Sequence, residues 1–525
     1  MSHGRGEPDL MAVRRSFWVG VALVLAGVAL HLPDYVMARH HDFVMAGMPM
    51  GGTMAAGMTL IVLGLMLAVR AVLPGRAQRL RLAGAAGTAN FAALDSARMT
   101  RAHWALVVAL TVGLVVDTMK PASLGFVVPG MAAEYGISTG RAALLPFASI
   151  TGAVVGSIAW AYLADLIGRR GAIMLSAVIY VSTSICGLMP SFGWNLVMCL
   201  AMGASAGGML PTVYSLMSES VPSRHRGAIL VVQSGLGAVL GYLVASGAAA
   251  VLVPHYSWRA LWLLGAPTGL LLLLLSRWVP ESPRYLLAAG RTAEAQRVMA
   301  RYGITTAAPA APASPVMPKA GRGALLSDRY RIRTIAVVLY GLGWGAVNWG
   351  FVTLLPAFLT PVYGPGVSRL LFEASLLAVP ATVVAAVLYE RWSSRRTMLL
   401  YSALTAAALA GFVIARPDRS HDTTLLVVLL MVLLAGNAGM IAMLSPYSTE
   451  IFPTALRATG GGLAASATKV AGVLVPVLVL APGLGLLAVT AVVPVAAAAI
   501  VLWRTGLETA GLPLVETEPE PQPVG

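Results

Sequence analysis

Fourteen apolar runs, each long enough to cross a bilayer, leave this chain little choice of fold. They fall at 16–35, 52–73, 103–128, 141–164, 171–190, 194–217, 227–251, 258–278, 332–361, 367–390, 397–415, 424–448, 458–480 and 483–503. A helix needs about 20 apolar residues to cross the hydrocarbon, and the runs are too long for barrel strands and lack their alternation. The expected fold is an all-α polytopic membrane protein of fourteen helices, grouped two plus six plus six. Composition agrees: 58% of residues are hydrophobic and 11% charged, against roughly 25% charged in a soluble domain. Too few polar groups exist to clothe a soluble enzyme, a disordered chain or a secreted disulfide scaffold.

The formal charge of +15 does not gather on one basic face, so nucleic acid is not an expected partner. Basic clusters recur instead after every second helix: Arg14 and Arg15, Arg76 to Arg81, Arg169 and Arg170, Arg224 and Arg226, Arg284 to Arg301, Arg322 to Arg333, and Arg391 to Arg396. Such loops are cytoplasmic, which puts both termini inside; Arg416-Pro417-Asp418-Arg419 is the main exception. If only one of the first two runs crossed, every later cluster would face outward, so both cross or neither does. Arg14 to Phe17 resembles the start of a twin-arginine signal, but in a polytopic chain it reads as a positive-inside anchor. Cys186 and Cys199 fall in or beside apolar runs and supply neither a disulfide framework nor a CxxC site. The expected setting is a bacterial-type cytoplasmic membrane, with the chain a monomer in the lipid bilayer.

The runs suggest an N-terminal extension with two helices (1–102), a six-helix bundle (103–278), a cytoplasmic segment (279–331), a second six-helix bundle (332–503) and a cytoplasmic tail (504–525). Within the cytoplasmic segment, Arg291 to Tyr302 has the spacing of an amphipathic surface helix, and the Ala/Pro-rich stretch from Ala307 to Ala320 suits an extended linker. The halves are related by duplication. Glu219, Pro222 and Arg226 recur as Glu450, Pro453 and Arg457, both in the spacing E-x-x-P-x-x-x-R after the fourth helix of their half. Two parallel repeats are what a transporter rocking about a central site requires.

Three further segments carry a family resemblance. Asp165-Leu166-Ile167-Gly168-Arg169-Arg170 resembles the D-x-x-G-R-R cytoplasmic loop of the major facilitator superfamily. Pro280-Glu281-Ser282-Pro283-Arg284 is similar to the PESPR segment of its sugar porters and organic-ion transporters. Asp117 to Phe126 resembles the first helix of its aromatic-acid:proton symporters, from which Lys120 departs. The resemblance covers roughly residues 103–503, with Ala161 standing where the family usually has Gly and the second-half loop, Arg391 to Arg396, lacking the Asp and Gly. It implies a transporter working by alternating access.

Charge pairing gives the loops a physical role. Asp165, Glu219, Glu281 and Glu450 stand beside Arg169, Arg170, Arg226, Arg284 and Arg457 and can latch the cytoplasmic ends of the bundles in one state and part in the other. The alternative is that they only anchor helix ends at the headgroups.

Charges within the runs point to the site. Lys469 lies near the middle of its span, roughly 16 Å from the start at about 1.5 Å per residue, where a lysine costs about 2.5–3.5 kcal/mol and needs a wet cavity or a counter-ion. Asp117 and Lys120, at i and i+3, share one face of a helix that Pro121, Gly125 and Pro129 make breakable. Tyr340, Trp344 and Asn348 recur every four residues, an aromatic and amide stripe able to stack on a flat solute, with Trp349 beside them. Gln233 and Asn437 are further polar candidates in helices. For each alone, hydrogen bonding between helices is an equal explanation.

Two lysines, one carboxylate and an aromatic wall suit an aromatic or heteroaromatic carboxylate moving with a proton. Asp117 would pair with Lys120 until protonated, then free that lysine for the solute, with Lys469 as the second contact. A sugar or polyol porter is the rival suggested by Pro280 to Leu286, and a lipophilic-cation efflux pump using Asp117 and Glu373 is another. A transport-inactive membrane sensor is the reading from a different class. No enzyme motif of the G-x-S-x-G, G-x-x-x-x-G-K-[ST] or H-E-x-x-H kind is present, and no cofactor is expected. His40, His41, Met45 and Met48 could form a copper-binding lip, although methionine is an ordinary filler of apolar helices.

Overall fold

Chain hydrophobicity is answered almost entirely by helix. The computed structural model describes residues 10–73, 97–304, 324–420, 422–452, 454–478 and 483–509, and contains no strand among them. The expected cluster Arg76 to Arg81, the linker from Ala307 to Ala320, Arg322 and most of the tail lie outside the described residues. So do Pro453 and the side chains of Ala161 and Arg457.

The long helices in chain order are α1 (Leu10–Ala29), α2 (Gly52–Val72), α3 (Arg101–Tyr135), α4 (Leu144–Ile167), α5 (Arg169–Ser182), α6 (Phe192–Ser220), α7 (Ser223–Tyr256) and α8 (Gly265–Leu275). There follow the short α9 (Pro283–Ala288) and α10 (Thr292–Arg301), then α11 (Arg331–Gly345), α12 (Thr353–Tyr363), α13 (Val367–Arg391), α14 (Ser394–Ala415), α15 (Thr423–Glu450), α16 (Thr454–Leu478) and α17 (Leu484–Thr505). Among the described residues twelve stretches are long and apolar enough to cross a membrane. One of them, Arg331–Arg391, takes in two of the runs expected from sequence, and the expected run 458–480 falls on α16, which ends beside residues outside the description.

The described residues fall into two compact units, one within Met1–Arg226 and Ala248–Ala313, the other within Gly227–Gly247 and Ser314–Gly525. The α7 stretch Gly227–Gly247 therefore belongs with the second. In the first unit, α1 packs on α2 at the contact level of backbone: a Cβ at Gly20 would lie 2.7 Å from the Gly64 carbonyl oxygen, and one at Gly27 2.6 Å from that of Gly57. Small residues let helices approach this way where lipid offers no hydrophobic drive. The α4/α6 crossing is tighter still, since a Cβ at Gly203 would overlap the Ser149 carbonyl.

Pro121 and Pro129 do not interrupt α3, which runs unbroken for 35 residues. Proline costs a helix one hydrogen bond, and hydroxyls serve carbonyls close to Pro121: that of Tyr180, from α5, donates to the Val116 carbonyl at 2.8 Å, and Ser123 Oγ, within α3 itself, to that of Met119 at 2.9 Å. The irregular turn lies elsewhere, between α11 and α12, where Ala346–Val352 is a π-helical turn. Pro356 there has no N–H to offer the Val352 carbonyl, and Thr353 Oγ1 donates to the Asn348 carbonyl at 2.9 Å.

Candidate functional site

In the second unit the polar stripe meets a partner. The Trp344 indole N–H donates to the Asn437 carbonyl at 3.0 Å, and Asn437 Nδ2 donates to Asn348 Oδ1 at 2.9 Å. Three residues singled out from sequence thus converge where the π-helical turn swings Asn348 toward α15, and such turns are frequent at functional sites. Asn348 and Asn437 line a narrow cleft, bounded also by Tyr242 of α7 and Ser375 of α13. Tyr340 and Trp344 are only 1% and 5% exposed, so the accessible member of the stripe is Asn348. Trp344 and Trp349 meet edge to face with centroids 6.1 Å apart, and Trp349 packs on Gly472 of α16. Gln233 is buried on α7 and Lys469 half-buried on α16. Glu373, the carboxylate a cation would need, pairs with Arg369 at 2.8 Å.

The first unit holds the other two intramembrane charges. Asp117 is 6% exposed on α3. Lys120 does not pair with it in this structure. The Lys120 ammonium is 1% exposed and donates to the Tyr180 carbonyl at 2.8 Å and to Thr183 Oγ1 at 2.7 Å, with Nζ 4.1 Å from the centre of the Tyr180 ring. That places a cation at the C-terminus of α5, where unpaired carbonyls and the helix dipole favour positive charge. Sequence reasoning missed this partner, although Ser182, Thr183 and Ser184, where α5 passes into the 3-10 turn Thr183–Leu188 inside an apolar run, were the available polar signal.

The loop between α4 and α5 of the first unit belongs to a connected network. Arg169 pairs with Asp165 at 3.0 Å and with Glu219 at 3.1 Å. Glu281 Oε1 accepts from the backbone N–H groups of Arg169 at 2.8 Å, Arg170 at 3.3 Å and Ser282 at 2.9 Å, so it caps the first turn of α5. Burial pushes the Glu281 carboxyl above its ordinary range, against the downward pull of those three amides. Arg226 folds back on the Val221 carbonyl at 3.0 Å, and Arg284 is exposed at the start of α9.

The second unit repeats the device with a residue that sequence reasoning missed. Glu508, just after α17, accepts from the Ser394 N–H at 2.7 Å and Ser394 Oγ at 2.6 Å, and also from Ser393 Oγ. It caps α14 as Glu281 caps α5. No motif marks it; position after the sixth helix of its half was the available signal. Glu450 accepts from the Tyr389 hydroxyl at 2.6 Å.

At the C-terminal end of α3, in the first unit, lies a second missed residue. Glu134 Oε1 accepts from Met45 N at 2.8 Å, Ala46 N at 3.0 Å and the Arg259 guanidinium at 2.5 Å, while Oε2 accepts from the Trp258 indole at 2.9 Å. Arg259 is 0% exposed. This node ties the loop between α1 and α2 to the bundle. Met45 is consequently buried beside Tyr35 and Leu188, while His40 and His41 are exposed. Among the described residues no three His, Cys, Asp or Glu side chains gather to hold a metal.

Comparison with known proteins places this architecture. The family model for the Major Facilitator Superfamily matches residues 118–476. The niacin transporter NiaP of Acinetobacter baylyi is 25% identical over 387 residues, covering 72% of this chain and 86% of that one. The 4-hydroxybenzoate transporter PcaK of the same species is 24% identical over 383 residues, covering 70% and 82%. Among solved structures, a partially occluded inward-open form of the xylose transporter XylE from E. coli superposes with a TM-score of 0.63 at 16% identity, over 79% of this chain and all of that one. With its helical, membrane-spanning architecture and a family match over most of its length, the chain belongs to the Major Facilitator Superfamily and is a multi-pass membrane transporter, not an enzyme.

Proposed function

We propose that the protein carries a small aromatic or heteroaromatic carboxylate together with a proton, by alternating access, in a bacterial-type cytoplasmic membrane with both termini inside. The observation that carries this reading is the meeting of Trp344, Asn348 and Asn437 at a π-helical turn beside a cleft. Polar side chains at membrane depth are costly and tend to mark solute paths. Relatives named for niacin and 4-hydroxybenzoate support a flat ring bearing a carboxylate. In this reading Asp117 takes up the coupling proton and Lys469 meets the anion. Asp165, Arg169, Glu219 and Glu281 close the first bundle, with Glu450 and Arg457 in the second.

Uptake of labelled nicotinate or 4-hydroxybenzoate into proteoliposomes, with and without an inward proton gradient, tests it. Accumulation is expected only with the gradient, and Asp117→Asn is expected to abolish accumulation while leaving solute exchange. Uptake indifferent to the gradient removes the coupling. Undiminished binding in Lys469→Ala removes the anion contact.

A further inference from the structure

Two amides that pair once keep further hydrogen-bonding capacity. Asn437 gives one Nδ2 hydrogen to Asn348 Oδ1 at 2.9 Å. Its own Oδ1 is buried and has no hydrogen-bond partner among the described residues, in a residue only 6% exposed. Asn348 Nδ2 likewise makes no hydrogen bond among the described residues, and both side chains line the cleft. The remainder is one unpaired carbonyl acceptor beside one unpaired NH2 donor, together with the second Nδ2 hydrogen of the donating Asn437. Exchanging oxygen and nitrogen in both residues leaves the same remainder, so the point does not depend on how each amide is oriented. The walls around it are largely apolar, with Val239, Val352, Ala378 and Leu434 among them beside Tyr242 and Ser375. A pair serving only to join helices has no need to leave an acceptor buried and unpaired, which costs roughly what a lost hydrogen bond costs.

Resting on the transport reading above, we propose that the Asn348–Asn437 pair recognises an uncharged hydrogen-bonding edge on the solute, one that sets an N–H donor beside a carbonyl acceptor, so that ring carboxamides are ligands of this site. A carboxamide can give its N–H to the free Asn437 oxygen and take a hydrogen from Asn348 Nδ2. A carboxylate has acceptors only and would set a lone pair against the Asn437 oxygen. The edge contact is separate from the anion contact assigned to Lys469, so solutes carrying both groups, or a carboxamide alone, fall within the class.

Calorimetry on the full-length protein in nanodiscs with benzamide, N,N-dimethylbenzamide and benzoate tests this. Benzamide keeps donor and acceptor, whereas its dimethyl derivative keeps the acceptor and loses the donor. Benzamide is expected to bind at least about tenfold more tightly than the dimethyl compound, with no change between about pH 5.5 and 8, where neither amide titrates. Asn437→Leu and Asn348→Leu are each expected to weaken benzamide about tenfold or more. Should those variants fail to fold, the comparison of the two amides on the unaltered protein decides alone. Equal affinity for the two amides overturns the proposal. Binding of benzoate without benzamide also overturns it and leaves the carboxylate reading standing. Absence of binding by all three, together with absent uptake of labelled nicotinate, overturns both.

Discussion

Glu134 shows how much a single side chain can hold. Its two oxygens receive two backbone amides from the α1–α2 loop, an indole N–H and the guanidinium of Arg259, which is 0% exposed. Removing one partner of a buried pair strands the other, at a cost of about 3–5 kcal/mol. Glu134→Ala is therefore expected to lower thermal stability in detergent sharply, and Glu134→Gln less so because one acceptor oxygen remains; equal and small losses would show the node to be incidental. Glu281 supports a prediction of a different kind. Its carboxyl protonates at a higher pH in the folded protein than its ordinary value of 4.5, so its contribution to stability is full below that value and is lost as pH rises through the raised folded value. Melting temperature should fall over that climb, and Glu281→Gln, neutral throughout, should flatten the fall. An unchanged slope would place the titration elsewhere. The sequence announces Glu281 because a motif surrounds it. Glu134 and Glu508 stand in plain helix ends and gain their partners only from chain folding, so neither was legible beforehand.

At the scale of elements, helix existence was legible and helix irregularity was not. Apolar length alone locates the spans, because hydrocarbon forces every backbone group to bond within its own helix. Whether a proline then breaks the helix depends on neighbours: α3 survives Pro121 and Pro129, while the turn before Pro356 takes π-helical form. The stripe of Tyr340, Trp344 and Asn348 was readable as one face, yet its meeting with Asn437 required the geometry of α15. Close crossings were equally hidden, since a glycine in an apolar run looks the same whether it faces lipid or a backbone carbonyl. Gly203 faces the Ser149 carbonyl, a backbone atom that cannot step aside as a flexible side-chain end could. Gly203→Val should part α4 from α6 and be seen as loss of monodisperse protein on size exclusion, whereas Gly227→Val, where a Cβ would meet nothing within 4 Å, should be tolerated in the same assay. A well-behaved Gly203→Val protein would contradict the crossing.

The whole molecule combines a shared transporter fold with an addition of its own. The family match begins at residue 118, so α1 and α2 lie outside it, and XylE, all of which is covered by the comparison, superposes on 79% of this chain. The addition is nevertheless fastened to the first unit: the loop amides reach Glu134, the Tyr35 hydroxyl donates to the Tyr256 carbonyl at 2.5 Å, and Met45 is buried beside Leu188. Those contacts favour the folded unit, but Glu134 keeps Arg259 and Trp258 without them. A chain beginning at residue 97 should therefore insert, fold and retain proton-dependent uptake. It should melt at a lower temperature than the full chain, and Glu134→Ala should then cost it less, because the loop amides are already gone. Measuring the melting temperatures of the full and shortened chains, each with and without Glu134→Ala, isolates the coupling as a double-mutant cycle. Additive losses would mean that the extension and Glu134 stabilise the bundle independently, and failure of the shortened chain to fold would make α1 and α2 part of the transporter core despite lying outside the family match.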